Sequence, residues 1–189
     1  SGGTEFVESG GMASATHISA GGYETGSGGT LESGLIGNGG SLLLKAGSVS
    51  ATTVENGGDL TASGGKLSRL NLSSGAEIAF DSADVSTDAI SLGTGAVLDF
   101  NYLDFSSDSK ATLDEATDIL TVSATNGSAT IHLEGDYTQL YFDMTAAASG
   151  TIEITLESVP CYCPGTLILT DRGEIPVEQL AIGDRLMTH

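Results

Sequence analysis

Tryptophan is absent from this chain, and basic residues, proline and cysteine are scarce. The 189 residues include 6 Lys and Arg, 3 Pro and 2 Cys, against 25 Asp and Glu. The net charge of −19 argues against a nucleic-acid partner, because phosphate binding needs clustered Lys and Arg. Binding to an anionic membrane surface is disfavoured for the same reason.

Long apolar runs are missing as well. No stretch approaches the roughly 18 consecutive apolar residues of a membrane span. No basic segment followed by an apolar one opens the sequence, so we expect no signal peptide within it. The two cysteines, Cys161 and Cys163, are only two positions apart. This spacing argues against a disulfide framework, because such neighbours close a small, strained ring.

Glycine, by contrast, is abundant, at 27 of 189 residues, about twice the usual share. Small pairs, mostly Gly-Gly, recur in alternating long and short steps, and one long step plus one short step gives a period of about 18 residues. The pairs begin at Gly10, Gly21, Gly28, Gly39, Ala46, Gly57, Gly64 and Gly75. Self-similarity at a fixed period indicates a stacked repeat.

Mostly aliphatic or β-branched residues flank these pairs at fixed offsets. Three positions before each pair stand Val7, Ile18, Thr25, Ile36, Leu43, Val54, Thr61 and Leu72, and three positions after it stand Ala13, Glu24, Leu31, Leu42, Val49, Leu60, Leu67 and Ile78. Each pair is therefore predicted to form a tight turn between two short strands, each with one side chain pointing inward. A flexible Gly/Ser linker would show no such phase relation.

We therefore predict an all-β fold, a parallel β-solenoid with about 18 residues per turn. Four turns are explicit between residues 7 and 80. Gly93 follows Gly75 by one further period, and Ile90 stands three positions before it. These two residues predict an irregular fifth turn. Only small aliphatic side chains are expected inside the turns. Coils stacked at the strand spacing would bury one continuous apolar column.

The stretch "VESGGMASATHISAGGYETGSGGTLESGLIGNGGSLLL" resembles the repeats of AIDA-type autotransporter passengers, which are bacterial surface adhesins. The resemblance covers about residues 2–96. It implies an exported, elongated β-helix, located in the secreted fraction or at the cell surface. It also implies self-association or adhesion, and glycosylation of exposed Ser and Thr.

After about residue 97 the period is lost, and alternating apolar and polar residues predict antiparallel strands, with "TNGS" (residues 125–128) as a hairpin turn. Because a solenoid needs its last coil covered, residues 97–159 are predicted to form a β-rich cap. We expect the cap to carry most of the aromatic residues. These are Phe100, Tyr102, Phe105, Tyr137, Tyr141 and Phe142.

The last segment has a different composition. "CYCPGTLILTDRGEIPVEQLAIGDRLMT" resembles the opening of a Hint (hedgehog/intein) domain. Its features are Cys161, a Pro-Gly-Thr run at residues 164–166, an apolar strand at 167–170, a turn at 171–173 and Gly183-Asp184. We predict three regions: residues 1–96 as the solenoid, 97–159 as the cap and 160–189 as the start of a Hint domain.

The resemblance implies autocatalytic cleavage. Cys161 would attack the carbonyl of Pro160 in an N–S acyl shift, with Gly165 and Thr166 as further motif residues and Cys163 as a second thiol. The catalytic helpers of that family come from later segments, so we expect this chain to be a truncation that is inactive by itself. No cofactor or metal is expected to take part.

Two alternatives remain open at this point. The first is a polysaccharide-acting β-helix enzyme, for which the acidic run Asp81, Asp84, Asp88, Asp104 and Asp108 is the candidate site. However, the chain has few basic residues and no calcium-binding nonapeptide, so we interpret the run as a solvated face. His17 and His132 are expected to point outward. The second alternative is a purely structural surface stalk with a Hint remnant that does not process, self-associating or binding surface glycans.

Overall fold

The computed structural model of the protein describes residues 2–159, 165–181 and 183–187. Within these ranges almost all regular structure is β-strand, and the helical element is a short 3-10 helix, η1 (Val177–Gln179). The strands are β1 (Thr4–Glu8), β2 (Met12–Ser14), β3 (His17–Ile18), β4 (Tyr23–Glu32), β5 (Leu35–Ile36), β6 (Ser41–Ser50), β7 (Thr53–Val54), β8 (Asp59–Ala62), β9 (Gly65–Leu72), β10 (Glu77–Phe80), β11 (Val85–Leu92), β12 (Val97–Asp104), β13 (Lys110–Asp114), β14 (Ile119–Ala124), β15 (Gly127–His132), β16 (Leu140–Ala146), β17 (Thr151–Ser158), β18 (Leu167–Thr170) and β19 (Gly173–Pro176).

The chain divides into two compact units, one spanning residues 1–158 and the other residues 159–189. The first unit is a β-solenoid, as predicted. Its strands stack in parallel, and Ser41 pairs with Asp59, which pairs with Glu77. Each of these steps is one turn of the predicted period.

Glycine forms one corner of every coil, and the corner carries its own backbone ladder. Gly39 N donates to Gly57 O at 2.7 Å, and Gly57 N donates to Gly75 O at 3.0 Å. Gly57 has φ of +71°, a left-handed conformation that glycine adopts without steric cost. The predicted tight turns are therefore present at this series of glycine pairs.

At the other series of pairs, the chain turns between two strands at Gly10 and bends between two strands at Gly64, as predicted, but at the two pairs between them the prediction is wrong. Gly28 and Gly47 lie inside the long strands β4 and β6, where the backbone bends at a shift in strand register. The inward residue before this bend therefore stands two positions before the pair in sequence, and not three. Leu44 is fully buried, whereas its predicted counterpart Leu43 is half-buried.

At a third corner of each coil the residue with left-handed φ is not glycine. The residues there also have left-handed φ, between 50° and 57°. They are Ala15, Ser33, Ala51, Arg69 and Ala89. Residues of these types carry no turn signature, so the sequence pattern did not reveal this corner.

The core consists of inward columns, one residue per coil. One column runs from Gly26 through Leu44, Ala62, Phe80 and Phe100 in register. The rings of Phe80 and Phe100 stack with centroids 5.1 Å apart, and both are buried. The expectation that only small aliphatic side chains fill the coils is therefore wrong, because the Phe80 ring fits into the column next to small Ala62.

The fifth turn exists, but it is longer than the predicted period by two positions. Val85 pairs with Gly65 and Val97 pairs with Glu77, so the two extra residues lie in the loop that ends at Asp84. Gly95, at φ +83°, accepts the hydrogen bond from Gly75 N at 3.0 Å. Gly95 thus occupies the corner that was predicted for Gly93.

Antiparallel strands close this end of the stack. β17 pairs with β12, and β16 pairs with β17, while β13, β14 and β15 form a separate three-stranded sheet. The hairpin between β14 and β15 turns at Thr125 and Asn126, which confirms the predicted turn. Because β12 itself continues the parallel stack, the division between solenoid and cap at residue 96 stays a prediction.

Tyr137 joins the closing segment to the last coil. Its hydroxyl accepts a hydrogen bond from Leu92 N and donates one to Glu134 O, each at 3.0 Å. Burial raises the pKa of Tyr137, partly offset by the bond from Leu92. Among the described residues there is no helix long and apolar enough to cross a membrane.

Candidate functional site

The second unit contains the hairpin of β18 and β19. Leu167 pairs with Pro176 and Thr170 with Gly173, so the chain reverses at Asp171 and Arg172, as the sequence predicted. The Thr170 hydroxyl is buried, donates to Gly173 O at 2.8 Å and accepts from Arg172 N at 3.2 Å. Gly173 has φ of +103°, which fits a glycine at the end of a tight turn.

A third segment lies along the free side of β18. Met187 N donates to Leu169 O at 2.9 Å, and Asp171 N donates to Arg185 O at 3.1 Å. Asp184 forms an ion pair with Arg172 and accepts from Ala181 N at 2.9 Å. The Gly183-Asp184 part of the motif therefore holds the end of the hairpin.

Two of the predicted site residues lie beside this hairpin. Gly165 is in a turn with φ of +87°. Thr166 precedes β18, and its carbonyl accepts a hydrogen bond from Val177 N at 2.8 Å. The other three, Pro160, Cys161 and Cys163, lie outside the described residues, and their predicted roles in cleavage stay predictions.

The hairpin exposes much of its apolar surface. Leu167 is 56% exposed and Leu169 is 40% exposed, and both point to one face of β18 because strand side chains alternate. Leu186 and Met187, on the neighbouring segment, are 57% and 56% exposed. An apolar face of this kind is typical of a strand layer that packs against further structure.

The acidic run that was considered as an enzyme site lies on the surface of the protein. The five aspartates of the acidic run, Asp81, Asp84, Asp88, Asp104 and Asp108, are all exposed, as expected for a solvated face. His17 and His132 are also exposed, as predicted. Among the described residues no group of three His, Cys, Asp or Glu side chains could hold a metal ion.

Carboxylates near Asp81 were missed by the sequence analysis. Burial raises the pKa values of Asp59, Glu77 and Asp99, and each is raised further by neighbouring carboxylates. Glu77 pairs directly with Asp59, and Asp99 pairs with Glu153 across the antiparallel junction. The sequence signal for this cluster was the spacing of acidic residues by one coil, as for Asp59 and Glu77. Such residues become neighbours only when the coils stack.

Comparison with protein families gives one match. Residues 160–189 match the family model described as the Hint domain. A search of curated proteins finds no significant match. The similarity therefore concerns the final segment, while the resemblance of residues 2–96 to AIDA-type repeats stays a prediction.

Proposed function

We propose that this chain is a secreted or cell-surface bacterial β-solenoid joined to a Hint domain that cleaves the bond between Pro160 and Cys161. The observation that carries the proposal is the Hint match over residues 160–189, which begins just after the end of β17 at Ser158. A processing domain in this position would release the whole solenoid as one product.

The reaction follows from the position of Cys161. Its thiolate attacks the carbonyl carbon of Pro160, and the amide nitrogen of Cys161 takes up a proton and leaves, so a thioester replaces the peptide bond. Water then adds to the thioester. The products are a solenoid ending in the Pro160 carboxylate and a Hint segment beginning with a free Cys161 amine and thiol.

The nucleophile needs activation by other groups. A free thiol with a pKa near 8.5 is only a few per cent thiolate at neutral pH, and the leaving amine needs a proton donor. Proline before Cys161 also gives a hindered carbonyl and a restricted backbone. We therefore expect the 189-residue chain to remain uncleaved, and Cys163 to serve as a second thiol if the thioester is relayed.

The exposed apolar face of β18 supports the same proposal. Leu167 and Leu169 leave 56% and 40% of their surface open, and further Hint segments would bury that surface. Burying apolar area stabilises by about 25 cal/mol per Å². Packing of the remaining Hint domain on this hairpin would therefore complete the fold that positions Cys161.

For the solenoid we propose a stalk that self-associates or binds glycans at the cell surface. Its columns of Leu, Ile, Val and Phe fill the interior, so contacts with other copies or with glycans would be made by its outward side chains. The outward columns carry Ser, Thr and Asn. Asn38, for example, donates from its side chain to the carbonyl of Asn56 in the next coil at 3.3 Å.

The test is the intact mass of the full-length reading frame, wild type beside Cys161→Ala. We expect a wild-type fragment that ends at Pro160, that increases with hydroxylamine or added thiol, and that is absent from the variant. Cys163→Ala is the matched control, and it tests whether the second thiol is needed. If the wild type stays whole under thiol from pH 6 to 9, the processing proposal is wrong and the protein is a stalk alone.

A further inference from the structure

The first two coils place two carboxylates in an otherwise apolar column. Glu24 occupies the position that Leu42, Leu60 and Ile78 occupy in the following coils. Glu5 pairs with Glu24 in register on β1. In this column the first two coils therefore supply a Glu–Glu pair, and the following coils supply a Leu or Ile.

Glu24 is deeply buried without a compensating partner. Its side chain is 2% exposed, and its Oε1 atom has no hydrogen-bond partner. Burial, and then the neighbouring Glu5, raise the pKa of Glu24 to about 7. A buried carboxylate without a partner costs free energy unless a cation or hydrogen-bond donor meets it.

A pocket lies at this position. Glu5 and Glu24 are among the residues that line it, together with Gly2, Gly3 and residues of β3. Among the lining residues described, the other titratable ones are His17 and Tyr23. The two ion pairs found in the described part of the chain, Lys66 with Asp88 and Arg172 with Asp184, lie elsewhere.

The chemistry of the pocket selects the ligand. Although His17 also lines the pocket, no group of three His, Cys, Asp or Glu side chains among the described residues could hold a metal ion. A single organic cation suits the pair better, because an ammonium group has three N–H donors and a positive charge. Ile18 also lines the pocket and offers an apolar contact for an alkyl stem.

We propose that the Glu5–Glu24 pair between β1 and β4 is a binding site for one alkylammonium group. The group is carried either by a free amine or by a lysine side chain of a polypeptide. Its charge would neutralise the pair, and its N–H groups would supply the partner that Glu24 Oε1 lacks. Hydrogen bonds between charged groups are about twice as strong as neutral ones.

Calorimetric titration of the whole chain with butylammonium chloride tests this assignment. In an amine-free buffer at pH 8.5 we expect saturable binding, and no binding of 1-butanol, which has a similar stem without the charge. Affinity should fall at least tenfold at pH 5.5, because protonated Glu24 no longer attracts a cation. Titration with N-acetyl-lysine methylamide distinguishes the two sources, since tighter binding of the blocked lysine assigns a polypeptide ligand and tighter binding of butylammonium assigns a free amine.

Variants decide whether the pair is responsible. Glu24→Gln and Glu5→Gln should each weaken butylammonium binding at least tenfold, since each removes one charge. Glu32→Gln, on the same strand at a half-buried position beside buried Leu31, should bind as the wild type does. The proposal is overturned if neither amine binds saturably, or if a folded Glu24→Gln protein binds butylammonium with wild-type affinity.

Discussion

Replacing Glu24 with glutamine is expected to stabilise the protein at alkaline pH. The pKa of Glu24 is about 7 in the folded chain against 4.5 for an ordinary glutamate. A carboxyl group with a raised pKa is favourable when protonated, so its stabilising contribution is complete below about pH 4.5 and is lost as the pH rises through 7. The loss is about 1.4 kcal/mol per pH unit over this window, or roughly 3 kcal/mol in total.

The assay is urea unfolding followed by far-UV circular dichroism, between pH 4 and pH 8.5 in amine-free buffers. Glu24→Gln should have nearly wild-type stability at pH 4 and exceed it by roughly 3 kcal/mol at pH 8.5. Asp59, Glu77 and Asp99 also have raised pKa values, but they are present in both proteins and cancel in the difference. Glu32→Gln is the matched control. A difference between Glu24→Gln and wild type that does not change with pH would refute the reasoning.

Four further substitutions, of which Phe105→Ala is a control, test the solenoid itself by the same unfolding assay. Phe100→Ala should lower the free energy of unfolding by about 3–5 kcal/mol, because it opens a cavity beneath Phe80. Phe105→Ala should lower it by less than about 1 kcal/mol, because the Phe105 side chain is 38% exposed. Gly47→Ala should be strongly destabilising, since φ is +95° and the added Cβ would lie 2.1 Å from the backbone oxygen of Gly29. Ala51→Gly should stabilise by about 0.5–1 kcal/mol, because Ala51 has φ of +50°, which glycine adopts without strain; a loss of stability would contradict that account.

The repeat of glycine and aliphatic residues was sufficient to predict the stacked coils. Glycines one period apart hold the same corner in each coil, as Gly39 and Gly57 do. The aliphatic residues three positions after them, such as Leu42 and Leu60, are buried in one column. This succeeded because both signals are local, and a solenoid repeats the same local geometry in every coil.

For the candidate site, the sequence by itself identified the start of a Hint-like segment and its turn. The hairpin at Asp171 and Arg172 follows from an apolar strand and a glycine that are close in sequence. The exposed face of Leu167 and Leu169 could not be predicted in this way. Exposure depends on which other segments cover a strand, and that is a property of the folded domain.

Tertiary structure alone decided the features that depend on contacts between coils. The size of a core residue depends on its neighbours above and below, and the Phe80 and Phe100 rings stack in a column directly after small Ala62. Two inserted residues near Asp84 move the last corner from Gly93 to Gly95. The spacing of the glycines did not reveal this shift. Glu5 and Glu24 are far apart in the chain and meet only because adjacent coils lie in register. Composition and spacing therefore determined the architecture, whereas the charge and packing at each position were decided by the stacking.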